Sequence, residues 1–129
     1  MKLNIVGSIP SKKNCKIMIC RGSRPLIISS QKYRDWHTEQ AYRIAQYRPN
    51  KPYSECFIEI RYFMPDKRKT DMDNKASSIL DLLKDMEFIV DDNCFVVRKL
   101  IQEFCGVDKK NPRAEVEIVV ADLSTLDNS

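Results

Sequence analysis

Between Cys56 and Tyr62 the apolar residues fall on every second position. In the run ECFIEIRYF (55–63), Cys56, Ile58, Ile60 and Tyr62 share one side, while Glu59 and Arg61 take the other. A period of two predicts a strand with one buried face. Pro65 ends it, and a charged loop follows as far as Thr70. From about Asn74 to Met86 the period changes. Ile79, Leu82, Leu83 and Met86 recur at i, i+3, i+4 and i+7, with Ala76 and Leu80 alongside, which predicts an amphipathic helix.

The remaining segments are read in the same way. Residues 2–6 form a short strand that stops at Gly7. Two apolar runs, 15–20 and 25–29, are joined by RGSR, a hairpin signal. Ser29 or Ser30 then caps a helix reaching about Tyr47, with Tyr33, Trp36, Ala41, Ile44 and Ala45 on its loosely periodic apolar side. RPNKPYSE breaks that helix. EFIV (87–90) is a short extended piece, and residues 95–105 and 114–121 are strands separated by a Gly/Asn/Pro turn region. The order is β, hairpin, α, β, α, β, β. It implies an α+β fold (α/β in the broad sense), a single mixed sheet with two main helices packed on it. At 129 residues the chain is one domain, 1–129, with a flexible tail from about 123.

Composition narrows the class. Apolar runs such as Pro25–Ile28 and Ile118–Ala121 are far too short to span a bilayer, so no membrane role is expected. No secretory signal stands at the start. Cys15, Cys20, Cys56, Cys94 and Cys105 form no CxxC pair and read as reduced thiols, several of them buried, in a cytoplasmic protein. The single histidine, His37, reads as a partly exposed helix residue, and a Cys/His zinc site is not expected. Tyr33, Trp36 and Phe95 read as core.

Net charge is +4, and its layout matters more than its size. Lys12, Lys13, Lys16, Arg21 and Arg24 cluster near the start; Lys67, Arg68 and Lys69 form a second group; Lys109, Lys110 and Arg113 form a third. Between the last two lie two tight acidic pairs, Asp71/Asp73 and Asp91/Asp92. Basic groups around an acidic centre suit a polyanion held at its phosphates. Lys12, Lys13, Asn14, Lys16, Arg68 and Lys69 are the candidate phosphate contacts; Lys109 and Lys110 read as a plain charged turn.

A helix from Lys75 to Met86 is roughly 18 Å long, and residues 87–91, extended, cover about 16 Å. If that segment folds back along the helix, both acidic pairs meet. Carboxylates so gathered need a counter-charge. A hard divalent cation supplies it, and a metal so held activates water against a phosphodiester. The other reading is local. Asp71 and Asp73 stabilise a helix start, and Asp92–Asn93 makes a turn.

The stretch TDMDNKASSILDLLKDMEFIVDDNCF (70–95) resembles the signature of the RusA family of Holliday junction resolvases. In that family a D-x-D-N element opens a helix carrying L-D-x-L, and a D-D pair follows at this distance. Here these are Asp71, Asp73 and Asn74, then Leu80, Asp81 and Leu83, then Asp91 and Asp92. GSIPSKKN (7–14) is similar to the family's opening. The resemblance implies a homodimeric, Mg²⁺-dependent endodeoxyribonuclease, with Mn²⁺ as a substitute, that nicks four-way DNA junctions in pairs during recombination and repair. It implies Asp71, Asp73 and Asp92 as catalytic metal ligands, with Asp91 a secondary ligand, and no small-molecule cofactor. The family usually carries a functional lysine four residues after the second acid, and Ser77 stands there. Lys75 is the nearest substitute, though about 200° away around the helix; Lys69 is another. The departure keeps open an alternative, a catalytically weak or inactive module that binds branched DNA.

Overall fold

The computed structural model describes residues 1–11, 16–21 and 24–121, with backbone alone for 16–29 where described. Its elements are β1 (Lys2–Val6), β2 (Lys16–Arg21), β3 (Arg24–Ser29), α1 (Gln31–Ile44) with a 3-10 turn over Ala45–Tyr47, β4 (Cys56–Met64), α2 (Met72–Asp85), β5 (Val97–Val107) and β6 (Arg113–Val120). The fold is α+β: a four-stranded mixed sheet in the order β1-β6-β4-β5, two helices, and a separate β2-β3 hairpin.

The alternation in β4 is what makes it central. Cys56, Ile58, Ile60, Tyr62 and Met64 are all buried. β4 pairs antiparallel with β6 and parallel with β5. A parallel neighbour requires a crossover, and α2 provides it, packing Ala76, Ile79, Leu82 and Leu83 into the core. Burial pushes the Cys56 thiol up to about 11.

β5 and β6 are not neighbours; they flank β4. The turn region 108–112 passes the end of β4, where the Asp108 N–H donates to the Met64 carbonyl at 2.8 Å. Arg113 is locked there by Asp108 (3.0 Å) and Glu115 (2.9 Å) and stacks 3.8 Å over the Phe63 ring. It is therefore drawn out of the third basic group.

Ser30 caps α1, its hydroxyl accepting the Tyr33 N–H at 3.3 Å. Buried Gln40 ties α1 to β1, accepting from the Val6 N–H at 3.2 Å and donating to the Val6 carbonyl at 2.9 Å. Both polar atoms of the amide are thereby satisfied. Tyr33 and Trp36 are core, as the sequence implies. Phe95 is not: it is 75% exposed. The Asn93 side chain accepts the N–H groups of Phe95 and Val96 at 2.9 and 3.2 Å, turning the chain before β5 begins.

The end of α2 decides the path to β5. Glu87 lies in the left-handed region at φ 61, its N–H donates to Lys84 O at 3.1 Å, and the Phe88 N–H donates to Leu83 O at 2.9 Å. This is a Schellman termination. It sends Phe88 and Ile89 into the core beside Tyr53, where Tyr53 N–H donates to Phe88 O and Val90 N–H to Tyr53 O. Residues 88–90 therefore turn back only as far as Tyr53, at the foot of the sheet, and the chain enters β5 opposite Cys56.

Candidate active site and nucleic-acid interface

The first acidic pair stands at the start of α2. Asp71 occupies the N-cap position, yet its carboxylate makes no capping bond to a helix N–H; Asn74 Nδ2 approaches it at 3.5 Å. Asp73 lies in the first turn, where the helix dipole favours negative charge. The Gln102 amide donates to Asp73 Oδ1 at 3.4 Å, and the Tyr62 hydroxyl donates to Gln102 Oε1 at 3.0 Å. Burial, reinforced by the Asp73 charge, pushes the Tyr62 hydroxyl upward, so it stays a proton donor. Both carboxylates are exposed, and Asp73 is oriented by a relay anchored in the core.

The second pair sits at the other end of α2. Asp91 accepts the Asp92 N–H at 2.7 Å and the Asn93 amide at 3.2 Å. These bonds, with the Lys84 charge nearby, hold its carboxyl below the usual carboxylate range. Asp91 is thus absorbed in its own turn. Asp92 is exposed, and its carboxylate lies beside that of Asp91. Asp73 is level with Gln102, whereas Asp92 precedes Val97, the first residue of β5, which pairs with Cys56. The eleven residue steps along the helix from Asp73 to Lys84 amount to about 16 Å. Within one chain the two pairs are therefore kept apart by the length of α2.

Around Asp71 and Asp73 the surface is basic. A cleft of about 340 Å³ is lined by Ser8, Lys32, Arg68, Lys69, Thr70 and Lys75, among others. A neighbouring pocket of about 390 Å³ has Lys67, Arg68 and Lys69 at its rim and Met64, Met72, Phe104 and Val107 as apolar lining. Arg68 is held by Asp66 at 3.3 Å while remaining largely in solvent. Lys75 donates to the Ile9 carbonyl at 2.6 Å, and buried Ser78 donates to the Pro10 carbonyl, also at 2.6 Å. The two side chains pin the segment before the first basic group against α2. Lys12, Lys13 and Asn14 lie outside the described residues, as does the side chain of Lys16. Ser77, on the same side of α2 as Asp73, donates to the Asp73 carbonyl at 3.1 Å and brings no charge. Lys32, from the start of α1, was not singled out in the sequence; its place in the cleft depends on tertiary packing.

A different group also went unforeseen. His37, Asp81 and Asp85 bring potential ligand atoms within 4.8 Å of one another. His37 Nε2 lies 2.9 Å from Asp85 Oδ2, and the Tyr33 hydroxyl donates to Asp81 at 2.5 Å. These contacts join α1 to α2. Asp81, part of the L-D-x-L element, serves this junction and is remote from the start of α2.

The family model for Endodeoxyribonuclease RusA matches residues 9–119, which include both acidic pairs and every lysine and arginine of the basic cleft. The chain belongs to the RusA endodeoxyribonuclease family. No curated protein matches it. The family is one of endodeoxyribonucleases, which supports a nuclease, and the family's activity is Holliday junction resolution on branched DNA. No helix among the described residues is long and apolar enough to cross a membrane.

Proposed function

We propose that this RusA-family chain is a Mg²⁺-dependent resolvase that acts as a homodimer and nicks four-way junctions in symmetry-related strands. The observation that carries this reading is the pair Asp71 and Asp73, open to solvent at a helix start, one oriented by Gln102, with their sequence neighbours Arg68, Lys69, Thr70 and Lys75 lining a basic cleft. The donors fit the metal. Hard oxygen ligands, uncapped in the case of Asp71, suit Mg²⁺, which typically takes one or two carboxylates with waters and phosphate oxygens. When bound, the ion supplies water activation and charge stabilisation at the scissile phosphate. The protein's own part is to orient Asp73 through Gln102 and to hold flanking phosphates with Arg68, Lys69 and Lys32. Lys75 contributes charge to the cleft while anchoring the Ile9 carbonyl.

Asp92 is the third acid, and we assign it to the site of the second chain. The length of α2 separates it from Asp71 and Asp73 in its own chain, and a two-fold axis near β5 reverses the direction of the partner's strand. That reversal carries the partner copy of Asp92 toward this chain's Asp73 end. Two equivalent strands of a junction then meet two equivalent sites.

The test is cleavage of labelled synthetic junctions and linear duplex, with and without Mg²⁺. Wild type should nick junctions and spare duplex, and Asp73→Asn should bind without cutting. Mixing Asp73→Asn with Asp92→Asn chains should restore nicking at one site per mixed dimer. Sites built within single chains would give no restoration. Equal cutting of junction and duplex, or none with any divalent metal, overturns the resolvase reading.

A second reading, a branched-DNA-binding module without catalysis, is favoured by one observation: the uncharged Ser77 at the family's lysine position. It predicts junction binding with no cleavage, unchanged by Asp73→Asn.

A further inference from the structure

β5 has only one hydrogen-bonded neighbour among the described residues. It lies at the end of the sheet, and its inner edge is used by β4. Its outer edge is long, and Leu100 (37%), Ile101 (41%) and Phe104 (54%) are exposed along it. A long, apolar, unprotected edge is a template for another strand.

The edge is also selective. The β4 register shifts between Cys56 and Phe57 and again between Tyr62 and Phe63, so Arg98 and Cys105 are extra residues in β5. Between those two bulges Lys99–Phe104 runs in unbroken register. Pairing with β4 assigns the faces. Leu100, Gln102 and Phe104 match Ile58, Ile60 and Tyr62 on the helix side; Lys99, Ile101 and Glu103 match Phe57, Glu59 and Arg61 on the open side. Neither the Lys99 ammonium nor the Glu103 carboxylate has an ion-pair partner among the described residues. Lys99 instead lies 5.8 Å over the Phe57 ring.

We propose that the outer edge of β5 pairs antiparallel with the same edge of a second copy, about a two-fold axis at Ile101. This interface rests on the homodimeric reading above and supplies its contact surface. With Ile101 opposite its own counterpart, Lys99 of each chain faces Glu103 of the other, and two ion pairs form at once. On the helix side Leu100 stands diagonal to the second copies of Leu100 and Phe104, within reach across an antiparallel pair. The two nearest alternatives that keep the faces aligned are centred on Leu100 and on Gln102. The first sets Lys99 against Ile101 and Glu103 against Val97; the second sets Glu103 against Ile101 and moves Lys99 opposite the bulged Cys105. The charges therefore select the register centred on Ile101. The sequence K-x-I-x-E is complementary to itself when reversed, as a two-fold contact requires.

Sedimentation equilibrium without DNA or metal tests this directly. Wild type should be dimeric at micromolar concentration. Lys99→Glu and Glu103→Lys each turn two attractive pairs into two repulsive ones and should weaken dimerisation at least tenfold. The double variant Lys99→Glu/Glu103→Lys restores opposite charges across the axis and should recover the dimer, which a folding defect would not. Ile101→Cys in a Cys105→Ser background should form a self-disulfide on mild oxidation, since directly opposed antiparallel residues lie at about 4.5–5.5 Å between Cα atoms. A monomeric wild type, single reversals that leave the dimer intact, or failure of the double reversal to restore it would overturn the interface. A dimer that follows the charges yet cuts no junction would overturn the nuclease reading and leave the interface standing. Junction cutting by a dimer indifferent to these charges would do the reverse.

Discussion

The amide nitrogen of Gln102 stands 3.4 Å from Asp73 Oδ1. A residue on an edge strand thereby fixes the rotamer of an acid on the crossover helix, and the core hydroxyl of Tyr62 fixes the amide in turn, at 3.0 Å. Groups behind a metal-binding carboxylate typically change metal affinity tenfold or more when removed. Gln102→Ala should raise the Mg²⁺ concentration for half-maximal junction nicking by roughly tenfold, while leaving junction affinity in the absence of metal unchanged. Tyr62→Phe, which only frees the Gln102 oxygen, should have a smaller effect in the same titration.

Arg68 and Lys69 border the acids from the loop between β4 and α2, and both side chains are exposed. Contacts of this kind hold backbone phosphates and carry no sequence information. Arg68→Ala and Lys69→Ala should each weaken junction binding to a similar degree across junction sequences. Each should also lower the slope of log affinity against log salt by about 1. Fluorescence anisotropy over a salt series measures both quantities. A change in sequence preference without a change in slope would assign these residues a different role.

Much of this arrangement could be read from the chain, and the parts that could not share one cause. The alternation through Ile58, Ile60 and Tyr62 and the helical spacing of Ile79, Leu82 and Leu83 are local patterns, and both elements form where the patterns lie. The start of α2 falls at Met72, ahead of the apolar periodicity, because Asp71 and Asp73 are favoured at a helix start without packing on anything. Phe95 looks like the first residue of a strand, but Asn93 captures its N–H and turns it outward. The parallel pairing of β5 with β4, Lys32 in the cleft and the contact of His37 with Asp85 join residues far apart in sequence. No local period encodes them. The route after α2 is the sharpest case, since the left-handed turn is carried by a glutamate rather than a glycine.

That glutamate makes a stability prediction. Glu87 is exposed and holds φ at 61, a conformation that costs a side-chain-bearing residue about 1–2 kcal/mol relative to the right-handed region. Glycine adopts it without that cost but loses more conformational freedom on folding. Glu87→Gly should therefore stabilise the protein by about 0.5–1 kcal/mol, seen as a higher urea midpoint with an unchanged slope. Glu87→Val, branched at Cβ, should lower the midpoint. Equal midpoints for all three proteins would show that the turn does not persist in solution.

Ser77 gives the most direct test of how catalysis is divided among the chain's residues. Its hydroxyl donates back to the Asp73 carbonyl at 3.1 Å, so it lies one helical turn beyond Asp73 on the same side and stays exposed. In the proposed site, a lysine there can extend its ammonium toward a phosphate held at Asp71 and Asp73, whereas Lys75 points to the Ile9 carbonyl. Positive charge aimed at a developing phosphate charge acts mainly on the transition state. Ser77→Lys should therefore raise the single-turnover nicking rate by about tenfold or more, with junction affinity rising much less. A gain confined to affinity would mean the added charge serves binding alone. No gain in either would place catalytic charge stabilisation elsewhere in the basic cleft, with Lys69 the first residue to replace.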